Sequence, residues 1–206
     1  MPNIEEFKQH VIDAGVLDAE GIHHEFVSGS HGRKLDFDII ETGSPLYEEW
    51  IDVTSDFIAD NFPDLPAIII GVANGTNRVA LDTARRLGDG VTGFVSEKDP
   101  KNSKVIRLGD ETSKRIQAIR PELVVVVEDV GTTGGSSVQV ARNALEAGAK
   151  EVEVFTTWQR RPQLERLIEL GVPYRAIIKE ILPTYDPDEC RESGFCSQGW
   201  QLIPRT

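Results

Sequence analysis

The chain has 206 residues, 39% hydrophobic and 27% charged, the composition of an ordinary soluble globular protein with room for one sizeable core. Lys and Arg number 22 against 34 Asp and Glu, a formal charge of −12; with no basic surface to offset phosphate repulsion, neither nucleic acid nor an anionic membrane is expected as a partner. No apolar run approaches the ~20 residues of a membrane span, and the opening Met1-Pro2-Asn3-Ile4-Glu5-Glu6 has neither a basic n-region nor an apolar core, so a cytoplasmic location is expected.

Ile4, Phe7, Val11 and Ile12 stand at helical spacing and predict a short amphipathic helix ending near Gly15. Glu25 to Gly32 is a short apolar pair running into a turn, and Leu35 to Ile40 alternates like a strand, which together predict a hairpin-like element. Ser44-Pro45 caps a helix whose stripe is Leu46, Trp50, Val53, Phe57 and Ile58. Ala67 to Ile70 reads as a buried strand, Gly71 to Thr76 as a tight small-residue loop, and Arg78 to Leu87 as the helix that follows. Gly88-Asp89-Gly90-Val91-Thr92-Gly93 spells a dinucleotide fingerprint, but it follows a helix and precedes a strand, the reverse of the context in which those glycines hold a pyrophosphate; it reads as a helix stop and a turn. After a strand over Val91–Ser96 comes Glu97 to Lys104, polar, charged and expected to be a mobile loop. Thr112 to Ile119 reads as a helix.

Leu123 to Val127 is an apolar run rich in β-branched residues, expected to be buried on both faces, and a helical pattern begins after the glycines of Val130-Gly131-Thr132-Thr133-Gly134-Gly135-Ser136. The polar residues between therefore sit at a strand's carboxyl end, where open α/β sheets bind ligands. Small residues and hydroxyls let backbone N–H groups converge on an anion in front of a helix N-terminus, so the expected ligand is a phosphate. No lysine occurs between Leu123 and Ala149, which excludes a nucleoside triphosphate loop. Glu128 and Asp129 would repel a bare phosphate and suit the vicinal hydroxyls of a sugar whose 5-phosphate lies in the cradle. Downstream, Val138 to Ala147 reads as a helix, Val152 to Thr156 as a strand, Pro162 to Leu170 as a helix and Tyr174 to Ile178 as a last strand; the alternation predicts an α/β fold with a mainly parallel central sheet flanked by helices.

The apolar run, the acid pair and Val-x-Thr-Thr-Gly-Gly-Ser resemble the phosphoribosyl-pyrophosphate (PRPP) signature of type I phosphoribosyltransferases, most of all the orotate branch. The resemblance implies a single domain with a small hood, made of residues 1–44 and a tail at 183–206, over a core at 45–182. It implies transfer of a phosphoribosyl group from PRPP to a nucleobase nitrogen, with orotate the favoured base and pyrophosphate released. Glu128 and Asp129 would hold the ribose and act in catalysis, and Val130 to Ser136 would hold the 5-phosphate. Ala73, Asn74 and Gly75 would receive the pyrophosphate. Lys98 and Lys101, with Lys104 next, would close as a flap over the leaving group. Thr132, Arg160, Phe26 and Ser28 would meet the base. The resemblance further implies Mg²⁺ held mainly by the substrate, with no protein metal ligands, and a homodimer with shared active sites. A purine-type transferase, or a regulator that binds PRPP without turnover, also fits the motif. Cys190 and Cys196 are expected as free thiols; a tail disulfide, or a zinc site completed by His23 and His24, are the other readings.

Overall fold

The computed structural model describes residues 3–26 and 29–204; Ser28, an expected base contact, lies outside them. In chain order the elements are α1 (Ile4–Asp13), β1 (Ile22–Glu25), β2 (His31–Gly32), a 3₁₀ turn (Phe37–Ile39), α2 (Pro45–Asn61), β3 (Ile68–Gly71), α3 (Asn77–Leu87), β4 (Thr92–Asp99), β5 (Asn102–Leu108), α4 (Asp110–Ile119), β6 (Leu123–Gly131), α5 (Gly135–Glu146), β7 (Glu151–Gln159), α6 (Glu165–Leu170), β8 (Tyr174–Lys179), β9 (Thr184–Tyr185), α7 (Pro187–Glu192) and β10 (Gln201–Ile203).

The central sheet has the order β5-β4-β3-β6-β7-β8. All its pairings are parallel except β4 with β5. Its strands read as continuous apolar runs because helices cover both faces. Val125 and Val127 of β6 face a core with Phe7, Trp50, Ile58 and Trp158. Val124 and Val126 face the opposite core, with Ile116, Ala141 and Leu167. Helix starts follow local capping: the Asn3 side chain accepts from the Glu5 and Glu6 N–H groups, and Ser44 accepts from Tyr47 ahead of Pro45. From β3 the chain steps outward to β4 on one side and β6 lies on the other, so the carboxyl ends of β3 and β6 flank the switch point where doubly wound sheets open a crevice.

A second sheet, β10-β1-β2-β9, joins residues from both ends of the chain. Its strands are two to four residues long, too short to carry a periodic signal. The structure corrects two expectations here and one beside the sheet's edge. Leu35–Ile40 forms no strand; Leu35 makes one isolated bridge to Leu17 and Phe37 to Ile39 turn as a 3₁₀ helix that buries Phe37. The hairpin partners are instead Glu25 with His31 and His24 with Gly32. Glu97–Lys104 is not an open loop: β4 runs to Asp99 and pairs with β5, Glu97 opposite Arg107 and Lys98 opposite Ile106. Backbone ladder bonds offset the lack of apolar residues, and the Asp99 carboxylate accepts from the Lys101 and Asn102 N–H groups to close the turn.

Gly88 ends α3 at φ +92° and Gly93 lies on β4, where a Cβ would come 2.8 Å from Leu81 Cα. These glycines serve helix termination and close helix–strand packing, as their context implied. Among the described residues no helix is long and apolar enough to cross a membrane.

Candidate active site

The cradle follows from β6 handing over to α5. Gly134 takes a left-handed conformation (φ +76°), and α5 starts at Gly135 with no side-chain cap. The N–H groups of the first turn thus have neither helical nor capping acceptors and face the space above the sheet, an anion site. Thr133 is anchored from below, its carbonyl accepting from the Arg166 N–H at 3.0 Å. A Cβ on Gly134 would fall 2.8 Å from Leu167 Cγ, on the core side rather than the ligand side. Gly134→Val is therefore expected to destabilise the protein by about 2–4 kcal/mol, from positive φ and overpacking against Leu167. Urea denaturation reads this; a midpoint within error of wild type would contradict the placement.

The acid pair occupies the end of β6. Glu128 is 8% exposed, and its Oε2 accepts a short hydrogen bond from the Ser137 hydroxyl. Burial pushes its carboxyl up to about 8, against the opposing Ser137 bond, with the Asp129 charge adding to the rise. Asp129 keeps a partly exposed edge toward the crevice while protein surrounds its carboxyl; burial raises its pKa as well, and the Val130 N–H bond to Oδ1 at 2.7 Å opposes the rise. The sign for Glu128 is definite. Between about pH 4.5 and 8 the folded state holds a proton that the unfolded chain has released, so stability falls as pH rises through that window. Glu128→Gln is expected to stabilise the ligand-free protein by about 1–3 kcal/mol at pH 8 and hardly at all near pH 4, since the amide carries no charge to bury. Equal gains at both pH values in denaturant titrations would refute the assignment.

The loop after β3 reaches the same place. A Cβ on Gly75 would lie 2.5 Å from Asp129 Oδ2, so the loop's backbone rests against the acid. Gly71 has no room for a side chain because the loop folds back to put Thr76 O 2.4 Å from the position of its Cβ. The Ala73–Asn74 peptide is cis. Thr76 ties the loop to β6 by donating to the Val127 carbonyl, and the Thr76 hydroxyl accepts from the Val72 N–H at 2.9 Å. Ser96 ties it to β4, accepting from the Ala73 N–H at 2.9 Å and donating to the Gly71 carbonyl at 2.7 Å. Asn77 clasps the Ser96 backbone through two hydrogen bonds. Thr76, Asn77, Ser96 and Ser137 were not among the expected site residues: their work is to brace backbone and acid, a role that short-range sequence does not mark.

Beside the cradle lies a cavity of about 600 Å³ lined by Phe26, Ser30, Lys104, Thr132, Thr133, Arg160, Arg161 and Thr184. Arg160 sits just past β7 and is 6% exposed. Its guanidinium lies 4.9 Å from the Phe26 ring centroid and donates to the Arg33 carbonyl at 3.0 Å. No carboxylate pairs with it among the described residues; burial, with Arg161 adding, lowers its pKa to about 10, so it remains cationic at neutral pH. Three expected residues, Thr132, Arg160 and Phe26, thus share one cavity. Of the flap lysines, Lys104 lines it, while Lys98 and Lys101 are exposed on the β4–β5 hairpin. Arg161 and Thr184 are additional lining residues; Arg161 was legible only as a neighbour of Arg160.

In the tail, Cys190 and Cys196 are free thiols with their sulfurs 3.1 Å apart. His24 does not approach them: its Nε2 pairs with Asp18 Oδ1 at 3.2 Å. The histidines beside the thiols are His23 and His31.

A parallel sheet, an acid pair at a strand end and a glycine–hydroxyl cradle beside a buried unpaired cation define a sugar-phosphate transferase crevice, and comparison with known proteins agrees. No protein-family model matches the chain. Orotate phosphoribosyltransferase of Caldanaerobacter subterraneus subsp. tengcongensis is 32% identical over 158 residues, 76% of this chain and 75% of that one. The enzyme of the same name from Heliobacterium modesticaldum is 29% identical over 182 residues, 88% of this chain and 87% of that one. Among solved structures, Mycobacterium tuberculosis orotate phosphoribosyltransferase with inorganic phosphate superposes at a TM-score of 0.64 with 21% identity, covering 87% of this chain and 96% of that one. Saccharomyces cerevisiae adenine phosphoribosyltransferase does so at 0.63 with 18% identity, covering 84% of this chain and 99% of that one. The fold alone therefore does not choose between bases; the sequence does, and the chain belongs to the phosphoribosyltransferase family, in its orotate branch.

Proposed function

We propose that the protein transfers the 5-phosphoribosyl group of PRPP to a ring nitrogen of orotate and releases pyrophosphate, a step of pyrimidine nucleotide synthesis in the cytoplasm. The observation that carries the choice of base is Arg160, a buried guanidinium with no carboxylate partner among the described residues, in the cavity next to the cradle. An unpaired buried charge is costly, and a carboxylated base supplies the missing partner. A purine offers no such group.

The residues divide the work. The α5 N-terminus and Thr132 to Ser136 take the 5-phosphate through backbone N–H groups, which lets a chain of net charge −12 bind a polyanion. Glu128 and Asp129 accept from the ribose hydroxyls. As the bond at C1 breaks, positive charge grows on the sugar, and the acid pair, held beside it by Ser137 and the Val130 N–H, stabilises that charge once Glu128 has given up its proton in the bound complex. The braced Ala73–Gly75 backbone abuts Asp129, which suits it to the pyrophosphate end. Two carboxylates are hard oxygen donors that fit Mg²⁺, and the ion would neutralise pyrophosphate charge when it arrives with the substrate. We assign the first flap contact to Lys104, which lines the cavity, with Lys98 and Lys101 reaching the leaving group when the hairpin closes, in a homodimer that shares residues between sites.

A pyrophosphate-release assay with PRPP, Mg²⁺ and a panel of orotate, uracil, adenine, hypoxanthine and guanine tests the reading. Turnover confined to orotate is expected. Turnover with a purine in place of orotate would move the protein to the purine transferases, and PRPP binding without turnover on any base would make it a sensor.

A further inference from the structure

Four side chains far apart in sequence meet under the hood. His23 comes from β1, His31 from β2, Cys190 from α7 and Cys196 from the turn after it, and one ligand atom of each lies within 4.8 Å of all the others. His23 Nε2 is 3.3 Å from Cys196 Sγ and 3.7 Å from Cys190 Sγ, His31 Nδ1 is 3.6 Å from Cys196 Sγ, and the sulfurs are 3.1 Å apart. A zinc ion with Zn–S of about 2.3 Å and Zn–N of about 2.0–2.1 Å in a tetrahedron requires ligand–ligand edges of about 3.4–3.8 Å. The three nitrogen–sulfur edges at 3.3, 3.6 and 3.7 Å are close to that spacing, the remaining two edges lie within 4.8 Å, and the sulfur edge must open by several tenths of an ångström; Cys196, the one ligand that is not buried, can move to do so.

We propose that His23, His31, Cys190 and Cys196 bind one structural Zn²⁺ that clamps the two ends of the chain together over the base cavity. Two further observations favour a metal over a chance cluster. The Cys196 N–H points at Cys190 Sγ at 3.3 Å, the backbone-to-sulfur bond that a thiolate, not a thiol, draws most strongly. The Cys190–Cys196 loop is held as a tight knuckle: Ser197 N–H donates to the Cys190 carbonyl at 3.1 Å, and a Cβ on Gly194 would strike Tyr185 at 2.8 Å. Phe195 roofs the knuckle, with its ring centroid 5.6 Å from His23 and stacked on Trp200 at 4.5 Å. Binding is balanced by release of the two thiol protons, leaving Zn²⁺ with two thiolates and two neutral imidazoles. With four protein ligands and no open position, the ion is structural, not catalytic.

The clamp has a route to the site, a step that rests on the proposed function. His31 precedes Gly32, where a Cβ would lie 2.7 Å from the Phe26 ring and 3.2 Å from Arg160 Nη2. His23 lies on β1, three residues before Phe26, which directly follows the strand. Fixing β1 and β2 therefore fixes the face of the hood that holds Arg160, whereas the cradle and acid pair belong to the central sheet.

The test is metal content first. Protein purified under reducing conditions without added chelator should carry about one zinc per chain by elemental analysis, and Cys196→Ser and His31→Ala should carry less than a tenth of that. Cobalt reconstitution should give the intense ligand-field bands of a tetrahedral site with thiolate-to-cobalt charge transfer. Cys196→His, which keeps four ligands and so guards against a fold-loss explanation, should retain the metal with weaker charge transfer. Stripping zinc from the wild type should lower its melting temperature and raise KM for the base more than KM for PRPP, both restored by Zn²⁺. Protein free of metal that takes up neither Zn²⁺ nor Co²⁺ after reduction, or a Cys190–Cys196 disulfide in the freshly isolated chain, overturns the proposal. Because metal content is read without turnover, failure of the proposed reaction leaves this result standing, and the reverse holds too.

Discussion

Asp129→Asn is expected to lower kcat by ~10²-fold or more, the loss seen when a fixed electrostatic group is removed from a transition state, while leaving the fold intact. The substitution keeps the shape of the side chain and its ability to accept from the Val130 N–H. What disappears is charge beside the carbon that becomes cationic. Asp129 is the sharper target of the pair because its carboxyl abuts the Gly75 backbone and keeps an edge toward the crevice. Glu128 is more deeply enclosed and engaged by Ser137. Burial raises the Asp129 pKa in the free protein, and ribose hydroxyls or a metal at its carboxylate favour the ionised form. Steady-state kinetics showing wild-type kcat in this variant would remove Asp129 from the chemistry.

The central sheet was legible because its physics is local. A strand buried on both faces shows as an unbroken β-branched run, and Val124 to Val127 is such a run with 0–1% exposure along its length. Ser44-Pro45 and Gly88 mark helix ends by capping and conformational preferences that act within a few residues. The cradle was legible for the same reason, since a phosphate site built from backbone needs small residues in an uninterrupted stretch. β5 was not: an edge strand pairs on one side only, and Asn102 to Leu108 carries Ser, Lys and Arg toward solvent. β1, β2, β9 and β10 were not: two-residue to four-residue strands are too short for a periodic signal, and the pairings of β1 with β10 and of β2 with β9 join residues more than 150 positions apart.

The same distinction separates the two halves of the site. Glu128 and Asp129 announce themselves beside the cradle, but the Ser137 bond and the contact with Gly75 depend on how α5 and the β3 loop close around them. Arg160 could be suspected from its place past a strand's end, whereas its burial beneath Phe26 depends on the hood. The histidine partners of Cys190 and Cys196 were the hardest of all: His24 stands next to His23 in sequence, yet alternation along β1 sends it to Asp18 and leaves the cluster to His31, across the hairpin.

Arg160→Ala is expected to raise KM for orotate by ~10²-fold, from the few kcal/mol of a charge-assisted carboxylate contact, with the Kd for PRPP changed less than threefold. The separation follows from the architecture. Arg160 reaches the cavity from the end of β7 and touches Phe26 and the Arg33 carbonyl, all on the hood side, while the phosphate cradle is built from β6 and α5. Removing the guanidinium also removes an unpaired buried cation, so the variant is not expected to lose stability as a broken ion pair would. Arg160→Lys distinguishes charge from shape: an ammonium keeps the charge but loses the planar fork and its contact with the Phe26 ring, and should recover only part of the affinity. Uracil, which lacks the carboxylate, provides the complementary probe. The wild type should discriminate strongly against it and Arg160→Ala should discriminate little, because the cation that tells the two bases apart is gone. If Arg160→Ala retained the wild-type KM for orotate and the wild-type preference over uracil, the base carboxylate would have to be met elsewhere, and Arg161 and Lys104 are the remaining cations on that wall.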